Sequence, residues 1–283
     1  MVSQGLGSGP LDGVEQLTGG TQNILVRFVR DDHSYVLRRP PVQNRGAVDG
    51  CAALGVDAPA YVHGPPGQHA LGIAMVEALA VLARVMPEQI GLADIGHGSG
   101  WLERQVDRWR SQLTSYDRSD GYSADALGDV ELIGYWRAAC CPASWNPGLI
   151  HGDFHLGNVL FDRPEPSVLA LVDWELAGVG DPLLNLGHML ATWPRWRMTG
   201  LPSDEQASAR FGEQSGRAIR NLGWFRTLAC FRMGVILDGT YARASSGHAD
   251  PQIGRWCRSG AKAPMEQARQ LIDQSDGGGR HGG

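Results

Sequence analysis

Residues 149–162, "LIHGDFHLGNVLFD", place two histidines, an aspartate and an asparagine within eight positions between two apolar runs. Polar groups at that density do not fit a buried strand, whereas Leu149-Ile150 and Val159-Leu160-Phe161 have the composition of short buried strands. The polar set is therefore expected on a loop held by core at both ends, where groups that bind and react are usually found. The bland alternative is a turn in which Asp153 and Asn158 only satisfy backbone groups.

Working outward, four residues separate Asp153 from Asn158, and a second acid, Asp173, directly follows the apolar run 168–172. Kinase-type phosphoryl transfer uses groups in this order. An aspartate orients the attacking hydroxyl or accepts its proton, and an asparagine and a later aspartate hold Mg²⁺ on the ATP phosphates. The kinase catalytic loop has the same Asp-to-Asn spacing, with its metal-binding acid further along the chain. Mg²⁺ takes oxygen ligands and keeps several waters, so a carboxylate, an amide oxygen and phosphate oxygens suffice without a protein cage.

Composition narrows the partners. The 283 residues are 42% hydrophobic and include nine tryptophans, enough for a substantial core. A net charge of -5 without a block of like charge argues against a nucleic-acid binder or a polybasic membrane patch. Small molecules are the expected partners. Five cysteines without a C-x-x-C pair do not form a disulfide framework, and no signal or membrane-spanning segment stands out. A reduced, cytoplasmic protein is the expectation. Lys262 is the only lysine, so nearly all positive charge is arginine.

The spacing predicts strands over 24–29 and 35–38 around a turn at 30–34, the second ended by Pro40-Pro41. Residues 43–68, rich in Gly and Pro, are expected to be mainly loop. Helices are predicted over 71–85, with Leu71, Met75, Leu79 and Leu82 on one face, around Trp101, Gln105, Trp109 and Leu113, and over 124–139. A turn at 163–166, a helix over 182–192, a capping box at Ser203 and Gln206, and a buried helix over 221–244 follow. The tail 275–283, "SDGGGRHGG", is expected to be disordered.

"LIHGDFHLGNVLFD" together with "LALVDWELAGVGDPLLNLGHML" (169–190) resembles the aminoglycoside phosphotransferase family, and most of all its branch related to the kinase-like domains fused to acyl-CoA dehydrogenases. The likeness extends back through "GWLERQVDRWRSQL" and "YVLRRPP" to "LTGGTQN". It implies an α+β fold of two protein-kinase-like lobes. Residues 1–68 would form a shortened β-rich N-lobe and 69–274 a mainly helical C-lobe carrying the catalytic loop. It further implies ATP and Mg²⁺ as cofactors and a small-molecule hydroxyl as acceptor. Asp153 would be the catalytic base, with Asn158 and Asp173 as metal ligands. His151 would brace the loop from behind. His155 would face the acceptor or pack, and Glu175 would approach the metal or substrate. Asp181 would anchor the catalytic loop through backbone hydrogen bonds; a few residues on, where the family usually has an acid, this chain has Asn185. "TGGTQN" resembles the phosphate-covering turn, which assigns Gly19, Gly20, Thr21 and Asn23 to the nucleotide, with Arg38 in place of the strand lysine and Arg39 as the alternative.

The chain departs from the family between the "RRPP" region and residue 71, where the segment is short and contains no glutamate to pair that strand cation. A kinase-like binding or regulatory module with little catalysis is therefore a second reading. A third takes "HGDFH" as an H-x-D-x-H ligand set of a metal-dependent hydrolase.

Overall fold

The computed structural model describes residues 10, 12–17, 24–30, 33–39, 64–92, 100–123, 127–162, 165–196 and 198–278. The chain divides into two compact units, Met1–Val56 and Asp57–Gly283.

The first unit contains a three-stranded antiparallel sheet in the order β1-β2-β3, built from Asp12–Leu17, Ile24–Arg30 and His33–Arg39. The last two sequences, ILVRFVR and HSYVLRR, are dense in β-branched and aromatic residues, which suit a pleated ladder. Their register runs from Ile24 opposite Arg39 to Arg30 opposite His33. Strand β1, with Asp12, Gly13 and Glu15 among its six residues, carries no comparable local signal; it forms by pairing with β2 through an irregularity between Asp12 and Glu15.

The second unit is helical around two short antiparallel ribbons. Helix α1 (Pro65–Arg84) opens on two prolines, whose fixed φ suits a first helical turn. Among the described residues it is the one helix long and apolar enough to cross a membrane; Leu71, Met75, Val76 and Leu79 are buried in the protein core. Helix α2 (Trp101–Ser115) buries Trp101, Gln105, Trp109 and Leu113, the face read from the sequence. Helix α3 (Val130–Ala139) follows. The ribbons pair β4 (Gly148–Ile150) with β7 (Gly178–Gly180) and β5 (Val159–Phe161) with β6 (Val168–Leu171). Then come α4 (Leu183–Thr192), α5 (Asp204–Ser215), α6 (Leu222–Ser245) and α7 (Pro251–Gly278). Helix α6 runs through the centre, with Leu228, Phe231 and Val235 fully buried, and packs against both α4 and α7.

Several expectations need correction. Helix α1 starts at Pro65, not at residue 71, because the prolines open the helix instead of preceding it. Helix α3 starts at Val130, after Gly128 at φ +84°; of the earlier residues in the predicted span, 124–126 lie outside the described residues. Both β5 and β6 are partly exposed, so the fully buried strand beside the polar loop is β4. Helix α7 continues through Gly278, four residues into the tail expected to be disordered, carried by Ile272 buried in the last turns; residues 279–283 lie outside the described residues. The capping box at Ser203 and Gln206 is present, with each side chain bonded to the other's backbone N–H.

Candidate active site

Residues 151–158 form the loop between β4 and β5, closed by a 3₁₀ turn, Leu156–Asn158. Its path is fixed first at Gly152, whose φ of +84° suits glycine and whose added Cβ would lie 2.1 Å from the Leu176 carbonyl oxygen. Three elements hold the backbone around that point. From α4, the Asn185 side-chain oxygen accepts the N–H groups of His151 at 3.0 Å and Gly152 at 3.2 Å. From α6, Arg232 donates to the Gly152 carbonyl at 3.0 Å. From the end of β6, the Val172 N–H donates to the Asn158 carbonyl at 2.9 Å.

His151 is fully buried. Its Nε2–H donates to the Val172 carbonyl at 2.9 Å, and its Nδ1 accepts the Asp153 N–H at 3.3 Å. Those partners fix a neutral tautomer, and burial pushes its pKa down against the Val172 hydrogen bond and the nearby charges of Asp153 and Asp173. With both nitrogens engaged, His151 cannot join Asp153 and His155 as a ligand. Among the described residues no three His, Cys, Asp or Glu side chains converge on a metal-binding point. The H-x-D-x-H reading therefore has no geometric support.

Asp153 is 9% exposed and sits beside an amide and two imidazoles. Its Oδ2 accepts from the Asn158 amide at 3.1 Å and lies 3.5 Å from His155 Nε2, while Oδ1 lies 3.1 Å from His188 Nε2. Burial pushes the carboxyl's pKa up, but the His155 and His188 side chains beside it outweigh burial and hold it well below the usual carboxylate range. His188, on α4, is itself buried, which pushes its pKa down, so the pair is best described as a carboxylate against a neutral imidazole. His155 turns Nδ1 to the Gly157 N–H at 3.0 Å, which directs Nε2 toward Asp153. It packs within this cluster.

Asn158 commits its amide nitrogen to Asp153, donating to its carbonyl at 2.9 Å and to its carboxylate, so Oδ1 is the atom with which it can meet a cation. Asp173 follows β6 at φ +69°, a left-handed conformation uncommon outside glycine and best tolerated by Asp and Asn. It is tied to the loop through its neighbours: Val172 bonds to both His151 and Asn158, and the Trp174 ring packs 4.7 Å from that of His151. Glu175 is exposed in the adjoining 3₁₀ turn, Trp174–Leu176.

Asp181 does not bond to the 151–158 loop. It accepts the Asn146 N–H at 3.0 Å and the Leu183 N–H at 2.9 Å, fixing the segment before β4 to the start of α4. The loop is instead anchored by Asn185, the residue that stands where the family usually has an acid. Only an acceptor oxygen is needed there, and an amide supplies one without burying a charge. His188 was not anticipated. Its signal was its position three residues after Asn185, which puts both on one face of α4. Gly19, Gly20, Thr21 and Asn23 lie outside the described residues. Arg38 is placed in β3, paired with Leu25.

A catalytic-type loop with this bracing, on a helical unit that follows a small antiparallel sheet, is the arrangement of a kinase-like phosphotransferase. The chain belongs to the phosphotransferase enzyme family whose members include the aminoglycoside phosphotransferases, the family match covering residues 54–219. It is 32% identical over 200 residues to acyl-CoA dehydrogenase family member 11 of Pongo abelii and 31% identical over 199 residues to that of Homo sapiens. Each match covers 65% of this chain and 25% of the relative, so the chain spans about a quarter of the length of these relatives. Among solved structures, an aminoglycoside phosphotransferase-like protein from Ralstonia eutropha JMP134 superposes with a TM-score of 0.70 at 23% identity, covering 93% of this chain and 94% of that one. Choline kinase from Cryptosporidium parvum Iowa II does so at 0.60 and 10% identity, covering 94% and 91%. A thermostable aminoglycoside phosphotransferase variant in complex with ADP and hygromycin B superposes at 0.56 and 17% identity, covering 90% and 94%. These neighbours show the fold: a two-lobed protein-kinase-like phosphotransferase with a small N-lobe and a helical C-lobe.

Proposed function

We propose that this protein transfers the γ-phosphoryl group of ATP, with Mg²⁺, to a hydroxyl of a small molecule. The observation that carries the reading is Asp153: a nearly buried carboxylate, kept ionised by the groups around it, on a loop braced from α4, α6 and β6. A carboxylate so held can orient an acceptor hydroxyl and take its proton as the O–P bond forms. Asn158 and Asp173 supply oxygen donors of the kind Mg²⁺ prefers. The fit is supported by the commitment of the Asn158 nitrogen to Asp153, which leaves its oxygen as the atom that would meet the cation. Bound there with the nucleotide, Mg²⁺ would neutralise the charge on the transferring phosphate. His151 and Asn185 keep the loop in register with Asp173, and His155 and His188 hold the Asp153 carboxylate in place.

The nucleotide assignment of Gly19, Gly20, Thr21, Asn23 and Arg38 belongs to the same proposal. The neighbour that holds ADP supports it at the level of the fold. Four cysteines without disulfides, Cys140, Cys141, Cys230 and Cys257, agree with a cytoplasmic location, which is part of the proposal.

The test is calorimetric titration of the full chain with ATP, with and without Mg²⁺, beside Asp173→Ala. Magnesium-dependent binding lost in the variant is expected. Binding of equal strength in the presence or absence of Mg²⁺ would remove the metal from the reading, and no ATP binding would leave a kinase-like module without transfer.

A further inference from the structure

A cavity of about 610 Å³ adjoins the loop on the side of α2, with Arg104, Asp107, Arg108 and Arg232 among its lining residues. Arg232 is 4% exposed. One of its nitrogens, Nη2, donates to Gly152, and its plane lies 5.0 Å from the centroid of Trp109. Its Nε and Nη1 are buried without a hydrogen-bond partner. Among the described residues no carboxylate stands within ion-pair distance of it. Burial pulls its guanidinium down to about 10; Asp153 acts in the opposite direction and Arg108 adds to the lowering.

An arginine fork costs free energy when buried without acceptors, because its N–H groups have given up water. Here the unpartnered N–H groups belong to a side chain that lines a cavity, and a second guanidinium, Arg108, stands on the exposed face of α2 at the same cavity, beside the carboxylate of Asp107. The excess of positive charge selects an anion. The cavity is several times larger than a phosphate group, and Trp101, Ile150, Leu176, Val179 and Leu184 supply apolar wall, so the occupant carries a non-polar body.

We propose that this cavity binds an organic anion, a phosphate or carboxylate on an apolar body, with Arg232 as its buried recognition cation and Arg104 and Arg108 around it. The Arg232 Nε–H and Nη1–H groups can each donate to an anion oxygen from one fixed planar cation, which a lysine at the same place would not do. The bound anion would supply Arg232 with the acceptors it lacks and so stiffen its hold on the Gly152 carbonyl, one residue from Asp153.

The experiment is thermal unfolding of the full chain at constant ionic strength, balanced with chloride, against phenyl phosphate, inorganic phosphate and phenol. It needs no nucleotide and no turnover, so its result is separable from the fate of the phosphotransferase reading. Phenyl phosphate is expected to raise Tm saturably, at a half-effect concentration about tenfold below that of inorganic phosphate because its ring also leaves water. Phenol is expected to have no effect. Arg232→Met should abolish the phenyl phosphate shift, and Arg108→Gln, on the exposed face of α2, should raise the half-effect concentration several-fold. Should Arg232→Met fail to fold, Arg108→Gln decides alone. An equal shift with phenol, no shift with phenyl phosphate, or a shift unaltered in Arg108→Gln would overturn the proposal.

Discussion

Two buried aspartates of the helical unit are held in opposite ways. Asp238, in the middle of α6, has no exposed side-chain surface. Its Oδ1 accepts from Arg258 of α7 at 2.8 Å and its Oδ2 from the Tyr122 hydroxyl, while the Arg258 guanidinium lies over the rings of Tyr122 and Tyr241. Both oxygens are used, one by a permanent cation. Both oxygens of Asp153 also have neighbours, but none of these is a permanent cation. They are an amide and two imidazoles, none of which must be charged. Burial dominates at Asp238 and raises its pKa despite Tyr122 and Arg258; at Asp153 the surrounding donors overcome burial and lower it. The acid that holds helices together is paired with a permanent cation. Asp153, the proposed base, is kept ionised by groups that need carry no charge.

The comparison breaks first at turnover. Asp153→Asn is expected to lower phosphoryl transfer by a factor on the order of 10³, within the range of general-base contributions, with nucleotide binding and Tm nearly unchanged. Asp238→Ala is expected to do the reverse: a loss of about 3–5 kcal/mol in denaturant unfolding, because Arg258 is left buried without its partner, with the turnover of the folded fraction retained. Paired kinetics and unfolding curves of both variants check this. If Asp153→Asn turned over like the parent, Asp153 would be reclassified as structural. Asp173→Ala is expected to leave Asp153 in place and remove the Mg²⁺ dependence of nucleotide binding, read by the magnesium titration.

The loop was legible because its polar side chains stand at short spacing between apolar runs, and such patterns survive in one dimension. The flanking strand β4, the face of α2, the capping box at Ser203 and the buried course of α6 were legible for a related reason: each is a local pattern of apolar or capping residues. What was not legible depends on contacts between distant parts of the chain. Strand β1 has little strand character of its own and forms because β2 is beside it. The roles of Asp181 and Asn185 could not be told apart by spacing, since both lie near the same helix start and the difference is which backbone N–H groups reach each one. His188 and Arg232 come to the loop from α4 and α6, far along the chain.

A smaller effect is expected at the loop's anchor. Asn185→Ala leaves the buried N–H groups of His151 and Gly152 without their acceptor, at a cost of about 1–3 kcal/mol in unfolding free energy. Because Gly152 precedes Asp153, turnover should fall more than stability alone explains. Asn185→Asp retains the acceptor oxygen and removes the Asn185 amide nitrogen, which is buried without a partner. It should recover much of the turnover lost in Asn185→Ala, which separates positioning from bulk stability.

The smallest expected effect lies in the pH dependence of stability. Burial lowers the pKa of His188, whose surroundings are Asp153, His155 and Arg232, and likewise that of His151. The unfolded chain, with histidines near 6.5, then binds more protons than the native state at mildly acidic pH, so stability is fully present above about 6.5 and declines below it. Each histidine contributes at most about 1.4 kcal/mol per pH unit to that slope. Asp153 does not titrate in the window, because its pKa is held below the usual carboxylate range. His188→Gln should therefore flatten the loss between pH 6.5 and 5 while leaving the profile above pH 7 parallel to that of the parent, in unfolding curves taken at each pH. A slope unchanged by His188→Gln would mean that His188 is charged beside Asp153 in the native state, and the two buried aspartates would then differ less than their neighbours suggest, each being held by a cation.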